Sequence, residues 1–584
     1  DCILFYRLGD FYEMFFDDAV NVSRELELTL TGKDCGQAER APMCGVPFHA
    51  ADTYINRLVE KGYKVAICEQ VEDPKQAKGL VKREVIKVVT PGTNFNSGAL
   101  NEDRNNYLMC IAYMGRSIGL AVTDVTTGEF MVSELSSGRE LLDEINKFAP
   151  SEIICNESFD ISGIDLTEIR NRLSISMSSL DSWYFDDDGA KRILKDHFKV
   201  SSLDGLGLTD YPTGIIASGA LMNYLYETQK NSLPHITRIT PYSTGRYMII
   251  DSFTRRNLEL VETMREKNKK GSLLWVLDKT KTAMGARLLR NIIEQPLITV
   301  EDIRKRQQAV KELIDNYITR EEIREYLNPV YDLERIIGRI STKSAGPREL
   351  IAFRGSLEML PSIKKELASL KSEKMQELYK ELDTLDDIYD LINRSIVDEP
   401  PLQIKDGGII KDGFNEEVDR LRSAKTDGKN WLAQLEASER ERTGIKTLRI
   451  KYNKVFGYYF EVTNSFKDMV PDDYIRKQTL TNAERYTMPK LKELEDIILG
   501  AEDKLFALEY DIFADIRNRI AAQVVRIQNS ARAIAGIDVF ASLALVAQQN
   551  NYVCPSINKK GIINITGGRH PVVEKMIPDN MFVS

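Results

Sequence analysis

Ile498, Leu505, Leu508, Ile512, Ile516, Ile520, Val524 and Ile527 recur at intervals of three, four or seven residues, the spacing that lines one stripe of an α-helix with apolar side chains. One long amphipathic helix follows, and such a helix is a strut or lever to which other parts attach. Just before it the period changes. Leu448-Arg449-Ile450-Lys451-Tyr452 alternates apolar and basic residues, and Gly457 separates it from Tyr458 to Val462, which predicts two antiparallel strands. Glu416 to Glu441 reads as a helix on the other side, so a small β-rich module is expected as an insertion at the tip of a helical arm.

A chain of 584 residues exceeds what one core can fill, and roughly three to five domains are expected. Residues 1–93 read as a mixed α/β domain, with a strand-like start and a helix through Ala19, Val20, Val22 and Leu26, closed by Pro91-Gly92. In a second α/β domain, 104–235, Tyr107 to Ala112, Ser117 to Val125 and Glu129 to Ser133 form a meander turned at Thr127-Gly128. Leu141, Ile145 and Phe148 then stand at helical spacing. Beyond Pro241 the pattern is helical, as in Leu258 to Arg265, Met284 to Ile293 and Leu350 to Leu370. Pro400, Pro401, Gly407, Gly408 and Gly413 mark the clearest linker. The helical domain is assigned to 241–423 and 487–555, the inserted module to 424–486, and the start of a strand-rich domain to 560–584. The fold class is therefore multidomain, α/β followed by mainly α.

No uninterrupted apolar run of about 18 residues is present to span a bilayer, and no membrane partner is expected. Asp1 leads directly into Ile3, Leu4, Phe5 and Tyr6, so the chain is expected to begin inside a domain. Its seven cysteines are scattered and never form C-x-x-C, and its four histidines are far apart. Neither a disulfide framework nor a structural metal is expected, and a reducing cytoplasm fits best. The net charge of −9 opposes non-specific attraction to phosphates, so any contact with nucleic acid must be local.

The run Tyr6-Arg7-Leu8-Gly9-Asp10-Phe11-Tyr12-Glu13-Met14-Phe15 can present such a contact. In an extended segment Phe11 and Glu13 point the same way, offering together an aromatic wedge that can unstack a base step and a carboxylate that can bond a base edge. The ordinary reading is core aromatics with a solvated Glu. Gly9-Asp10-Phe11-Tyr12-Glu13-Met14-Phe15, however, resembles the Phe-x-Glu mismatch-reading motif of the bacterial MutS family. Ala41-Pro42-Met43-Cys44-Gly45-Val46-Pro47-Phe48-His49-Ala50, Val65-Ala66-Ile67-Cys68-Glu69-Gln70 and Val88-Val89-Thr90-Pro91-Gly92-Thr93 resemble later segments of the same reader domain. Asp278 to Leu297 and Gln478-Thr479-Leu480-Thr481-Asn482-Ala483-Glu484-Arg485-Tyr486 are similar to the family's lever and clamp.

The resemblance implies that Phe11 stacks on a mispaired base and Glu13 hydrogen-bonds to it, with Leu8, Met43, Pro47 and Arg83 along the duplex. The ordinary alternative for Arg83, near Lys82 and Lys87, is a charged strand face. It also implies that the inserted module is a clamp on the DNA backbone, where Lys454, Arg476, Lys477, Asn482 and Arg485 are candidates beside Arg449 and Lys451. The nearby Tyr452, Phe456, Tyr458 and Tyr459 are read as the module's small core. The second domain would be an RNase H-like connector. Asp124 on a strand, with Asp186-Asp187-Asp188, invites a two-metal nuclease as the rival reading, although the triplet reads as a solvated loop and family connectors are not nucleases. A second rival keeps the clamp without mismatch reading, and a third is a purely structural helical scaffold.

The family further implies double-stranded DNA with mismatches or small loops as the target, a homodimer, a MutL-type partner, a cytoplasmic and nucleoid-associated location, and ATP with Mg²⁺ in the full-length protein. The phosphate loop G-x-x-x-x-G-K-[ST] occurs nowhere in the sequence. Gly567 to Glu574 and Asn580 to Val583 resemble the first strands of the family's ATPase domain, where Phe582 and Val583 would flank adenine. No catalytic residue, cofactor or ATP hydrolysis is expected of the chain as written.

Overall fold

The computed structural model describes residues 2–36, 39–72, 81–96, 98, 100–243, 245, 247–402, 404–453 and 455–577, the side chains of 405, 424–426 and 429 excepted. Two compact units result. One comprises Asp1–Ser344, Gly355–Leu385 and Ala521–Ser584, the other Ala345–Arg354 and Asp386–Ile520.

The first unit opens with strands β1 (Ile3–Leu8), β2 (Phe11–Phe15), β3 (Thr31–Lys33), β4 (Ala41–Pro47), β5 (Val65–Gln70) and β6 (Arg83–Val89) in one sheet of order β3-β4-β2-β1-β5-β6. Helices Phe16–Leu26 and Ala51–Glu60 contribute to a core with Phe5, Tyr12, Met14, Val22, Val46, Ile55 and Leu58. The first helix buries Ala19, Val22 and Leu26, while Val20 faces solvent. The buried stripe thus runs at i, i+3 and i+7.

A second sheet is built from β7 (Leu108–Tyr113), β8 (Ile118–Asp124), β9 (Glu129–Leu135), β10 (Glu152–Asn156), β11 (Ser176–Leu180) and β12 (Thr240–Pro241), ordered β11-β10-β7-β8-β9-β12. The first three form an antiparallel meander, and β10 lies parallel to both β7 and β11, the mixed topology expected of an RNase H-like connector. Separate apolar clusters cover its two faces, which is why β8 is buried along its whole length. Helix Pro212–Gln229 can lie against it because residue 119 is glycine; a Cβ there would sit 2.0 Å from the Thr213 carbonyl oxygen.

Helix Val524–Gln549 is the axis of the remainder of this unit. It is long and apolar enough to cross a bilayer, yet 78% of that stretch is buried within the protein. The periodic run is therefore not one helix. Pro489–Ala521 ends and Val524–Gln549 begins after a short break at residues 522 and 523, where the chain passes from the second unit into the first. The first helix has one apolar stripe and the second is buried nearly all round, so packing ends the helix where the local sequence does not. Two other helical readings are also corrected. Leu350 to Leu370 divides into Pro347–Leu357 and Leu360–Leu367, with Pro361 in the first turn of the second. Leu258 to Arg265 is not helical: Ser252–Asn257 is the helix, and Glu259 at φ 45° takes the chain out of it.

In the second unit, β13 (Arg449–Asn453), β14 (Gly457–Thr463), β15 (Ile475–Thr479) and β16 (Ala483–Thr487) form a sheet of order β13-β14-β16-β15. Helix Glu416–Thr443 precedes it and Pro489–Ala521 follows it. Phe460, Val462, Tyr474 and Tyr486 pack with Leu432, Leu435, Leu491 and Ile498 from those helices. At the first hairpin, Glu495 accepts the Tyr458 backbone N–H at 2.7 Å, and a Cβ on Gly457 would collide with that carboxylate. Beyond Gly561 the described residues hold no strand, only the turn of helix Val573–Met576. The strand-rich start expected there is not found.

Candidate nucleic-acid interface

The β1–β2 hairpin turns through Gly9-Asp10, with Leu8 paired to Phe11. Gly9 has φ 59°, the positive angle a two-residue hairpin needs at its first central position. Arg7 Nε donates to the Gly9 carbonyl at 2.5 Å, and the Phe48 N–H to the Asp10 carbonyl at 2.9 Å. Alternation along β2 sends Tyr12 and Met14 into the core and leaves Phe11, Glu13 and Phe15 on the opposite face. The Tyr12 hydroxyl donates to Glu69, and burial together with that carboxylate raises its pKa. The inward side of the hairpin is thus fixed, while Phe11 is 48% exposed.

Strand register assembles the rest of this face. Leu8, Phe11 and Pro47 make one cross-strand row, Tyr6, Glu13 and Gly45 the next, and Phe15, Met43 and Thr31 a third. Leu8, Phe11, Glu13, Met43 and Pro47, separated by up to 39 positions in the sequence, therefore share one surface. Arg83 reaches the same face from β6: its Nε donates to the Arg7 carbonyl at 2.9 Å, its Nη1 to the Val81 carbonyl at 2.9 Å, and its guanidinium stands 5.3 Å from the centre of the Tyr6 ring. Two of its five N–H donors are thus engaged by backbone carbonyls, one of them on β1. Lys87 is not part of a solvated strand face: it is packed 4.9 Å from the Phe95 ring centre, and burial lowers its pKa to about 8.

Sequence reasoning missed Lys33. Its Nζ lies 2.5 Å from the Glu13 carboxylate and 5.5 Å from the Phe15 ring centre. The only signal was a lysine at the end of a short β-prone run, and its distance from Glu13 in sequence hid the pairing.

In the inserted module the basic candidates do not form one patch. Arg449, Lys451 and Arg485 fall on one face of the sheet by register, where Glu461 pairs across to Arg449 and Arg485. Lys451 is tied to Glu461 at 2.7 Å, and Arg485 donates to Gln478 at 2.7 Å and lies over Tyr459 at 4.5 Å. Arg476 and Lys477 stand at a register irregularity in the edge strand β15, a place where bulges re-aim side chains. Both are exposed, as is Asn482 in the turn before β16. Phe460, Tyr474 and Tyr486, rather than Tyr452, form the aromatic centre; Tyr452 is half exposed. Lys454, Phe582 and Val583 lie outside the described residues.

Asp124 is fully buried, and its carboxylate accepts from Asn105 Nδ2, the Asn106 N–H, the Thr126 N–H and the Thr126 hydroxyl at 2.6–3.1 Å. It builds the β8–β9 turn. Asp186 to Asp188 are exposed, but they begin a helix and do not form a loop: Asp186 caps helix Asp187–Phe198 by accepting the Gly189 N–H at 2.7 Å. No group of three or more His, Cys, Asp or Glu side chains among the described residues could hold a metal ion, so nothing in the geometry favours the nuclease reading.

Residues 1–97 match the family model of MutS domain I, residues 106–237 that of MutS domain II and residues 253–544 that of MutS domain III. Among curated relatives, a DNA mismatch repair protein MutS from Lachnoclostridium phytofermentans is 63% identical over 584 residues, which is 100% of this chain and 63% of the relative. Proteins of the same name from Acetivibrio thermocellus and Ruminiclostridium cellulolyticum are each 54% identical, over 100% of this chain and 67% of theirs. The chain thus spans about two thirds of the length of these relatives.

Proposed function

The chain belongs to the MutS family, and from that premise we propose that it grips duplex DNA and reads mispaired or looped positions in DNA mismatch repair. The observation that carries the reading is the half-exposed Phe11, held on a sheet whose other side is locked, with Glu13 beside it on the same face. A ring inserted from the minor groove unstacks a base step at a cost of a few kcal/mol, and that cost is least where pairing is already broken. Phe11 thereby senses deformability rather than sequence, and Glu13 gives the displaced base a hydrogen-bond partner. Leu8, Met43, Pro47 and Arg83 line the duplex. A chain of charge −9 needs a local source of backbone affinity; exposed Arg476, Lys477 and Asn482 supply it at phosphates, with Lys454 and Arg485 as further candidates.

The same reading makes the whole protein a homodimer that meets a MutL-type partner in a nucleoid-associated, cytoplasmic setting and becomes a sliding clamp with ATP and Mg²⁺. The residues described here do not fit those two groups, since no phosphate loop occurs in the sequence and residues 561–577 present only a short helical turn. No step therefore runs through them.

The test is titration of the chain against matched, single-mismatch and one-nucleotide-loop duplexes at two salt concentrations, with Phe11→Ala in parallel. Base–aromatic stacking is worth about 1–3 kcal/mol, so Phe11→Ala is expected to reduce mismatch affinity roughly 5- to 150-fold and leave salt-dependent binding of matched DNA in place. Equal binding of all duplexes by the unaltered chain would defeat the reading.

A further inference from the structure

Glu13 poses an electrostatic problem that its neighbour solves. A carboxylate brought against DNA is repelled by phosphates unless a cation accompanies it. Lys33 supplies that cation from β3, two strands away in the order β3-β4-β2. Lys33 pairs with Ala41 and Glu13 with Gly45 on the intervening strand, with the row of Phe15 and Met43 between them, and the ammonium spans that row to reach the carboxylate at 2.5 Å, 5.5 Å from the Phe15 ring centre. The side chains of Lys33 and Glu13 are 39% and 17% exposed, which lets the pair open toward a ligand without stranding a buried charge.

We propose that Lys33 is a specificity-determining positioning residue, a cation that neutralises Glu13 against matched DNA and gives the carboxylate up only when a displaced base offers it a hydrogen bond. This rests on the assignment of Phe11 and Glu13 as the reader. On matched DNA the Glu13–Lys33 pair persists and hides the negative charge. On a mismatch the carboxylate turns to the base, and the released ammonium is free for a phosphate. Losing Lys33 therefore harms the two complexes unequally. Matched DNA then meets a bare carboxylate, whereas in the mismatch complex the absent pair no longer has to be broken and the absent phosphate contact roughly cancels that gain.

The experiment titrates the chain and its Lys33→Met, Lys33→Arg, Glu13→Gln, Lys33→Met/Glu13→Gln and Phe11→Ala variants against one duplex, matched and with a single mismatch. Lys33→Met is expected to weaken matched binding about three- to tenfold, in the range of a partly exposed ion pair, and mismatch binding by at most about twofold, so that the preference rises. In the Glu13→Gln background the same change acts equally on both duplexes, and Lys33→Arg restores the original ratio. A merely structural or phosphate-binding lysine would lower both affinities together with Glu13 intact, and that result overturns the proposal while Phe11→Ala still abolishes preference. A chain with no mismatch preference at all, or one whose preference survives Phe11→Ala, overturns this proposal together with the reading beneath it.

Discussion

Replacing Arg287 by Met would remove the cation at the centre of a buried ionic cluster in the first unit. Arg287 is 3% exposed and donates to Asp332 at 2.6 and 2.8 Å, to Glu334 at 2.6 Å and to the Glu102 carbonyl at 3.0 Å. Burial alone would weaken its charge, but the two carboxylates outweigh burial and raise its pKa; burial pushes Glu334 up, while Arg287 outweighs burial at Asp332 and lowers it. Beside it, Arg335 donates to the carbonyls of Asn101 at 3.0 Å and Arg104 at 2.7 Å. The cluster thus ties the segment entering the second sheet to helices Ala283–Glu294 and Leu333–Ser341. Removing one partner of a buried pair costs about 3–5 kcal/mol. Here the carboxylate side chains are 18% and 21% exposed and Arg335 stays 3.9 Å from Asp332, so the lower end, about 3 kcal/mol, is expected. A chain of several domains need not unfold in one step, which makes amide hydrogen exchange of peptides covering residues 100–107 and 333–341 the better assay. About 3 kcal/mol corresponds to exchange roughly 150-fold faster, largely reversed in Arg287→Met/Asp332→Asn/Glu334→Gln. Acceleration under about fivefold would refute the claim that this cluster holds the segment.

Gly285→Ala places a Cβ 2.3 Å from an oxygen of buried Asp538, which is fixed by the N–H groups of Lys281 and Thr282 and the Thr282 hydroxyl; a loss of about 1–3 kcal/mol should lower the denaturant midpoint. Glu129 is partly buried, and that burial, with Asp124 nearby, raises its pKa to about 7 against the opposing Tyr107 hydrogen bond. A carboxyl raised in this way favours the fold while protonated, and that contribution is lost as pH climbs through about 7. Glu129→Gln should therefore gain on the unaltered chain by about 2 kcal/mol in unfolding measurements between about pH 5.5 and 8.5, and a constant gap would contradict the cause given. Arg476→Ala and Lys477→Ala should each weaken matched and mismatched binding alike and reduce the slope of log affinity against log salt by about 1, so a sequence- or mismatch-selective loss would place them elsewhere.

The amino-acid sequence determined by itself the features that local chemistry decides. The alternation around Leu448 to Val462 and the helix Glu416–Thr443 follow from periods and turn residues that neighbours cannot easily overrule. The extended segment that aims Phe11 and Glu13 to one side was readable for the same reason. Contact across distance was not readable. Lys33 meets Glu13 only because β4 is threaded between their strands, and Arg476 parts from Arg449 and Arg485 because register, not sequence proximity, assigns faces. Only the tertiary structure decided that the apolar repeat divides into Pro489–Ala521 and Val524–Gln549, since the period is the same on both sides of the break and what differs is whether one stripe or the whole circumference is buried. It also decided that Asp124 is a turn-builder rather than a metal ligand, because a carboxylate's role is set by the donors that fold around it.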